Sequence, residues 1–457
     1  MTRAAFAALL LLSAAPAAAE TIAIRGGTLA LGDGAEPIQG GTVVIRDGRV
    51  VAAGLNVGIP SGARIVDATG KWVTPGFVSG YSQLGINEVD LGANGTTDQQ
   101  ATSPFNAAID VAPAVNPQVP TIAISRADGV TRAIVSPSTS NNIFGGQGAL
   151  IDTGDDMDAV TRARLFQFVE LGEQGAANAG GSRPAAHVLF RSAFREAAQL
   201  SRYGSDIIGR TEGRRQVRTD DPVSARVYSS DAQRSDDVRL TRFDAAALVP
   251  VLQGRQYLLV HVERASDILE VIALRREFPK LRLVIVGASE GWLVADKIAA
   301  AGVPVIASAL NDLPSSFEQK GATQSNIGRM RAAGVDVGIG MIGDNENRQL
   351  YNARQYAGNL VALGKVPGAA GVSWGEALAM LTSGPAKAFG MGDQIGSFKA
   401  GNHGDAVIWS GDPLELSSVP EAVWIDGVAQ PLETRQDKLR NRYLDLNRGD
   451  LPEAYRR

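Results

Sequence analysis

Residues 257–286 read YLLVHVERASDILEVIALRREFPKLRLVIV: an apolar run from Tyr257 to His261, a helix-length segment from Ala265 to Phe278, and a second apolar run from Leu281 to Val286. Strands that are apolar throughout need cover on both faces, and a helix between two of them supplies the crossover of a parallel pair. The same alternation extends outward in both directions. Strand candidates are Phe77 to Tyr81, Ala133 to Ser136, Gly148 to Asp152, Val303 to Ala307 and Val335 to Ile339. Helix candidates are Glu290 to Ala301, Asn326 to Ala333, Gln349 to Leu363 and Trp374 to Phe389. The pattern predicts an α/β chain with a (β/α)8 TIM-like barrel over residues 75–389, its chemistry at the C-terminal strand ends. Tyr203 to Thr241, rich in Arg, Asp and Ser, reads as a surface excursion, and no segment is assigned to the fourth strand.

Both flanks have a different texture. Short β-branched runs at Thr21 to Ile24, Thr42 to Ile45, Val50 to Ala53, Arg64 to Asp67 and Lys71 to Val73 are separated by turn signals such as Asp47-Gly48 and Thr69-Gly70. The texture returns at Gly404 to Trp409 and Ala422 to Ile425. This predicts a small β-sandwich domain made from residues 20–74 and 390–432, which requires an insert whose two ends meet; a closed barrel meets that condition. The charged tail, residues 433–457, carries Leu439, Tyr443 and Leu446 at helical spacing. It reads as a helix docked on its own barrel or on a partner subunit.

Met1-Thr2-Arg3, an apolar stretch from Ala4 to Leu12 and Ala17-Ala18-Ala19 have the order of a cleaved export signal, residues 1–19. The expected location is periplasmic or secreted, with no membrane span. The formal charge is -4, from 44 basic and 48 acidic residues, which argues against nucleic-acid partners. Zero Cys excludes thiolate chemistry, and three His, namely His187, His261 and His403, limit any metal site. No Gly-x-Ser-x-Gly elbow or phosphate-binding loop is present.

Three runs together resemble the amidohydrolase superfamily, and within it the imidazolonepropionase-like and periplasmic prolidase-like members: Val73-Thr74-Pro75-Gly76-Phe77-Val78, Val260-His261, and Ile395 through Val407. The resemblance covers nearly the whole mature chain. It implies a barrel holding one or two divalent metals, usually zinc, that activate water against a C–N or related bond. Residue by residue the chain departs from it. Where the family ends its first strand in Asp-x-His-x-His, this chain has Ser79-Gly80-Tyr81-Ser82-Gln83. The fifth-strand His matches His261, but Gly287 stands where the sixth-strand His is placed. At the eighth strand Ile342 holds the matching position and Asp344 follows two residues later, as a mouth carboxylate or a helix cap. Leu171-Gly172-Glu173 resembles a fourth-strand Gly-Glu ligand segment, or places Glu173 on a solvated helix face.

The expected site has His261, Glu263 and Asp344 as catalytic residues and Tyr81, Gln83, Asn142 and Glu290 as substrate-binding ones. Tyr81 coordinates a metal only when ionised, Gln83 offers a weak carbonyl donor, and Asn142 has an equally good reading as a turn former. An oxygen-rich set with one imidazole suits zinc poorly, so no metal cofactor is expected. His187 reads as structural and His403 as part of the loop that closes the sheet. Two functions follow: a hydrolase acting on an amide, lactam or dipeptide-like C–N bond through a degenerate, zinc-free site, or a silent homologue. The latter would bind a small-molecule or peptide-like ligand, or pair with an active homologue in a hetero-oligomer; a homo-oligomer is the other assembly considered.

Overall fold

Apolar strands that must be covered on both faces close into a barrel here. A computed structural model of the chain describes residues 20–88, 98, 102–209, 239–309, 311–343 and 350–444, with only the backbone of 202–209. Five strands open it: β1 (Thr21–Leu29), β2 (Ile38–Arg46), β3 (Arg49–Gly54), β4 (Arg64–Asp67) and β5 (Trp72–Pro75). Eight follow: β6 (Phe77–Ser82), β7 (Val130–Val135), β8 (Phe144–Asp152), β9 (Val160–Glu170), β10 (Tyr257–Val262), β11 (Arg282–Gly287), β12 (Val305–Ala307) and β13 (Val337–Ile339). Three close it: β14 (Ala406–Trp409), β15 (Pro420–Ile425) and β16 (Val428–Ala429).

Strands β6 to β13 form one sheet in chain order. The N–H of Met341 donates to the carbonyl of Tyr81 at 3.1 Å and brings the last strand back to the first. Closure depends on missing side chains: a Cβ on Gly80 would lie 2.7 Å from the Ile339 carbonyl, and one on Gly340 would lie 2.8 Å from Cβ of Tyr81. Phe166, Phe168, Leu259, Val284 and Ile306 fill the interior, and a larger apolar layer separates the strands from the helices outside.

The barrel departs from strict alternation in one place. Strand β8 runs antiparallel to both β7 and β9, so β7 to β9 form a meander without crossover helices. The fourth strand, missing from the sequence reading, is β9. Its first half, Thr161 to Arg164, is exposed and polar because it projects as a ribbon paired with β8; only Leu165 to Glu170 are buried. The expected helix from Trp374 to Phe389 breaks at Thr382 into Trp374–Leu381 and Ser383–Ala388.

Strands from both chain ends make a second, mixed sheet, ordered β16-β15-β14-β5-β1-β2-β3 with β4 alongside β1. In hydrogen bonding it is one continuous sheet, with its own core of Ile22, Ile24, Val43, Ile45, Phe398 and Trp424. Strand β5 pairs with β14, joining the segment that enters the barrel to one that follows it. Among the described residues no helix is long and apolar enough to cross a membrane.

The tail forms the helix Arg435–Leu444, in which no residue is buried; Tyr443 is 69% and Leu444 66% exposed. Leu439, the first of the three apolar residues expected to dock, is half-buried in this helix. Leu446, the leader over residues 1–19 and most of the charged Tyr203 to Thr241 segment lie outside the described residues.

Candidate functional site

Parallel register decides what meets at the barrel mouth. His261, next to last in β10, is the register partner of Glu170, the last residue of β9, and on its other side of Val286 in β11. Neighbouring partners in a parallel sheet project to the same face, so an imidazole and a carboxylate are set side by side. The Oε2 of Glu170 lies 2.7 Å from His261 Nδ1, and Oε1 of Glu263 lies 3.2 Å from Nε2. Glu263 is in turn held by Ser289, whose backbone N–H and hydroxyl each donate to Oε2 at 2.7 Å, while Asn311 Nδ2 donates to the Ser289 hydroxyl at 2.7 Å. The result is one chain of hydrogen bonds, Asn311–Ser289–Glu263–His261–Glu170, with Ser289, Glu263 and Glu170 buried and His261 and Asn311 half-buried.

The charges follow from these contacts. Burial alone would lower the pKa of His261, but a carboxylate on each ring nitrogen holds it well above its ordinary 6.5. Burial likewise raises that of Glu263, yet the hydrogen bonds from His261 and Ser289 outweigh it and keep the group below its usual range. The imidazole therefore sits between two carboxylates, each of which favours its protonated form.

This ring geometry bears on metal binding. A zinc-bound imidazole presents a nitrogen lone pair, whereas in this ring both nitrogens are turned onto carboxylates and neither faces open space. Gly287 supplies no donor, and the space above it is taken by the Glu263 carboxylate. The donor set at His261 does not fit a zinc ion, and among the described residues no group of three or more His, Asp or Glu side chains is arranged to hold a metal.

The sequence reading missed Glu170. It singled out Glu173 instead, which is exposed at the start of the helix Glu173–Asn178, in keeping with its solvated alternative. The signal that locates Glu170 is the buried run Leu165-Phe166-Gln167-Phe168-Val169 leading up to it, a strand ending in a carboxylate. Glu318 was also missed: its Oε2 accepts the Glu173 N–H at 2.7 Å and an N–H of Arg183 at 2.9 Å, tying the loop after β12 to the end of β9. Burial raises its pKa.

The remaining expected residues take varied places. Glu290 is buried, and its two oxygens accept the backbone N–H groups of Ala265, at 3.0 Å, and Gly321, at 2.9 Å. It clamps the start of a helix to a mouth loop, and both oxygens are thereby engaged. Asn142 accepts the Phe144 N–H at 3.2 Å, the turn-forming alternative. Gln83 donates to the Ser138 hydroxyl at 2.7 Å. Tyr81 is buried at the end of β6 with its ring centroid 6.1 Å from that of Phe168. Asp344 lies outside the described residues. His187 is half-buried on the helix Arg183–Gly209, and His403 sits in the sheet-closing loop against Asp426.

A sequence profile of the amidohydrolase family matches residues 268–431. The amidohydrolase tasK of Hapsidospora irregularis is 28% identical over 399 residues, 81% of this chain but 38% of that protein, so this chain spans well under half of that relative. The crystal structure of an amidohydrolase from Thermotoga maritima MSB8 is 27% identical, with a TM-score of 0.73 over 89% of this chain and 99% of the other. Phenylurea hydrolase B, 18% identical with a TM-score of 0.51 over 90% of this chain and 96% of that one, shares the fold. With an eight-stranded barrel, a second sheet built from both chain ends and these matches, the chain is similar in sequence and fold to the amidohydrolase superfamily.

Proposed function

We propose that this chain hydrolyses a C–N bond, in an amide, lactam or dipeptide-like substrate, through a zinc-free site in which Glu170 works on the substrate while His261 and Glu263 hold it in place. One observation carries the reading. Both nitrogens of His261, both oxygens of Glu263 and Oε2 of Glu170 are engaged, and Oε1 of Glu170 alone has no hydrogen-bond partner among the described residues. It stands at a C-terminal strand end, where this fold places its chemistry. The expected roles of His261 and Glu263 thereby become positioning roles, with Glu170 as general base.

In this mechanism Oε1 of Glu170 takes a proton from water as the water oxygen attacks the carbonyl carbon. The same carboxyl returns that proton to the nitrogen as the C–N bond breaks, so one water is consumed and an acid and an amine are released. His261, pinned at both nitrogens, fixes the carboxylate against rotation. General acid–base catalysis of this kind supplies about 10²- to 10⁴-fold in rate.

The test is a panel of N-acyl amides, lactams and dipeptides, with chelator added to the wild type and with the variant Glu170→Gln. Cleavage indifferent to chelator and reduced about 10²- to 10⁴-fold in the variant is the expected result. Activity lost to chelator and restored by zinc, or full activity in the variant, overturns the reading. Binding of panel members with no cleavage supports the silent homologue instead. The leader expected over residues 1–19 extends the proposal to an exported enzyme, checked by N-terminal sequencing of native protein.

A further inference from the structure

We infer that Glu263 is an internal occupant of the space beside His261 Nε2, a carboxylate that clamps the imidazole and keeps a divalent cation out, and that Gly287 is the residue that admits it. The inference rests on the zinc-free reading above and goes further by naming what closes the site to metal.

The geometry is reciprocal. A Cβ on residue 287 would fall 2.8 Å from both Cδ and Oε1 of Glu263 and 3.0 Å from Oε2, closer than non-bonded carbon and oxygen atoms approach. Gly287 also has φ +98°, in the region that side chains disfavour. No side chain at 287 coexists with Glu263 where it now lies. Conversely, the carboxylate reaches His261 and Ser289 only because that volume is empty. Three donors converge on it: the imidazole Nε2–H, the Ser289 N–H and the Ser289 hydroxyl, the last fixed by Asn311. A fully satisfied buried carboxylate has no hydrogen-bond deficit for a cation to relieve, and an ion approaching Nε2 would have to displace both the ring proton and Glu263. Removing Glu263 frees that nitrogen as a donor, while Glu170 stays on Nδ1 at the other side of the ring. Placing an imidazole at 287 as well adds a second nitrogen on the adjacent strand, so that two imidazole donors face the space Glu263 leaves.

Three proteins test this with zinc alone as the probe: wild type, Glu263→Ala, and Glu263→Ala combined with Gly287→His. Each is dialysed against zinc and counted by elemental analysis, and the ring nitrogens are followed by NMR in histidine-labelled protein. With three His in the wild type, and His187 and His403 each removable by substitution, the signals can be assigned. Circular dichroism confirms folding. The expected result is a wild type with well under one zinc and unmoved His261 signals, a single variant whose His261 signals move with zinc, and a double variant holding about one zinc per chain. If the double variant does not fold, the His261 signals of Glu263→Ala decide. A zinc-free wild type whose folded variants also ignore zinc overturns this inference alone. Stoichiometric zinc on the wild type overturns the zinc-free reading beneath it.

Discussion

Arg132 on β7 grips Asp405, 273 residues later, through two hydrogen bonds of 2.8 and 3.0 Å, with its guanidinium 1% exposed. The same guanidinium reaches Asp426 at 2.8 Å, and the backbone N–H of Asp426 donates to Asp405 at 2.9 Å. A buried cation on a barrel strand is thus neutralised by the C-terminal part of the second sheet, which links the two chain ends to the insert between them. Asp405→Ala removes the bidentate partner and leaves the guanidinium under-compensated, at a cost of about 3 kcal/mol or more. Denaturant unfolding measures it; a loss below about 1 kcal/mol would contradict the role given to this pair.

Asp152 faces the same guanidinium from 3.8 Å and is largely buried. Burial pushes its carboxyl up to about 6, with the Gly154 N–H and Arg132 only partly opposing the rise. A raised folded-state pKa gives stability that is fully present below the unfolded value of 3.8 and is lost as pH rises through about 6. Asp152→Asn never ionises, so its stability relative to the wild type should increase between pH 4 and pH 7 by roughly 2 kcal/mol. A difference independent of pH would show that the carboxyl is not perturbed.

His261 gives a pH dependence at higher values. Its pKa is raised, so its contribution to stability is fully present below 6.5 and is lost as pH climbs through the folded-state value. NMR at neutral pH should show both ring nitrogens protonated. Glu263→Gln should bring the titration down toward 6.5, because one of the two carboxylates that hold the proton is gone. A neutral ring in the wild type at neutral pH would remove the imidazolium from the proposed site.

The tail helix Arg435–Leu444 buries no side chain, so ending the chain at Thr434 should change stability by no more than about 0.5 kcal/mol. We propose that Leu439 and Tyr443 of the tail make an oligomer contact, in which case light scattering of the truncated protein shows a lower mass. A large fall in melting temperature with unchanged mass would restore docking on its own barrel.

Local patterning along the chain encodes its strands, helices and their order. Apolar runs such as Tyr257 to Val262 and Leu283 to Val286 must be buried on both faces wherever they lie, so strands, crossovers and a closed barrel were legible without coordinates. His261 near a strand end and the absence of a side chain at Gly287 were equally plain. Strand β9 was hidden because its exposed ribbon, Thr161 to Arg164, carries the polar texture of a loop until pairing with β8 is known. The site itself was decided by tertiary structure. Glu170 matters only because β9 and β10 pair in one register across 91 residues, and a shift of one residue would turn its carboxylate to the opposite face of the strand. The direction of Glu263 depends on Ser289 and on the space left above Gly287, both on the neighbouring strand and its loop. Neither relation has a local signature, because hydrogen-bond convergence at a barrel mouth is a property of strand register and not of any one segment.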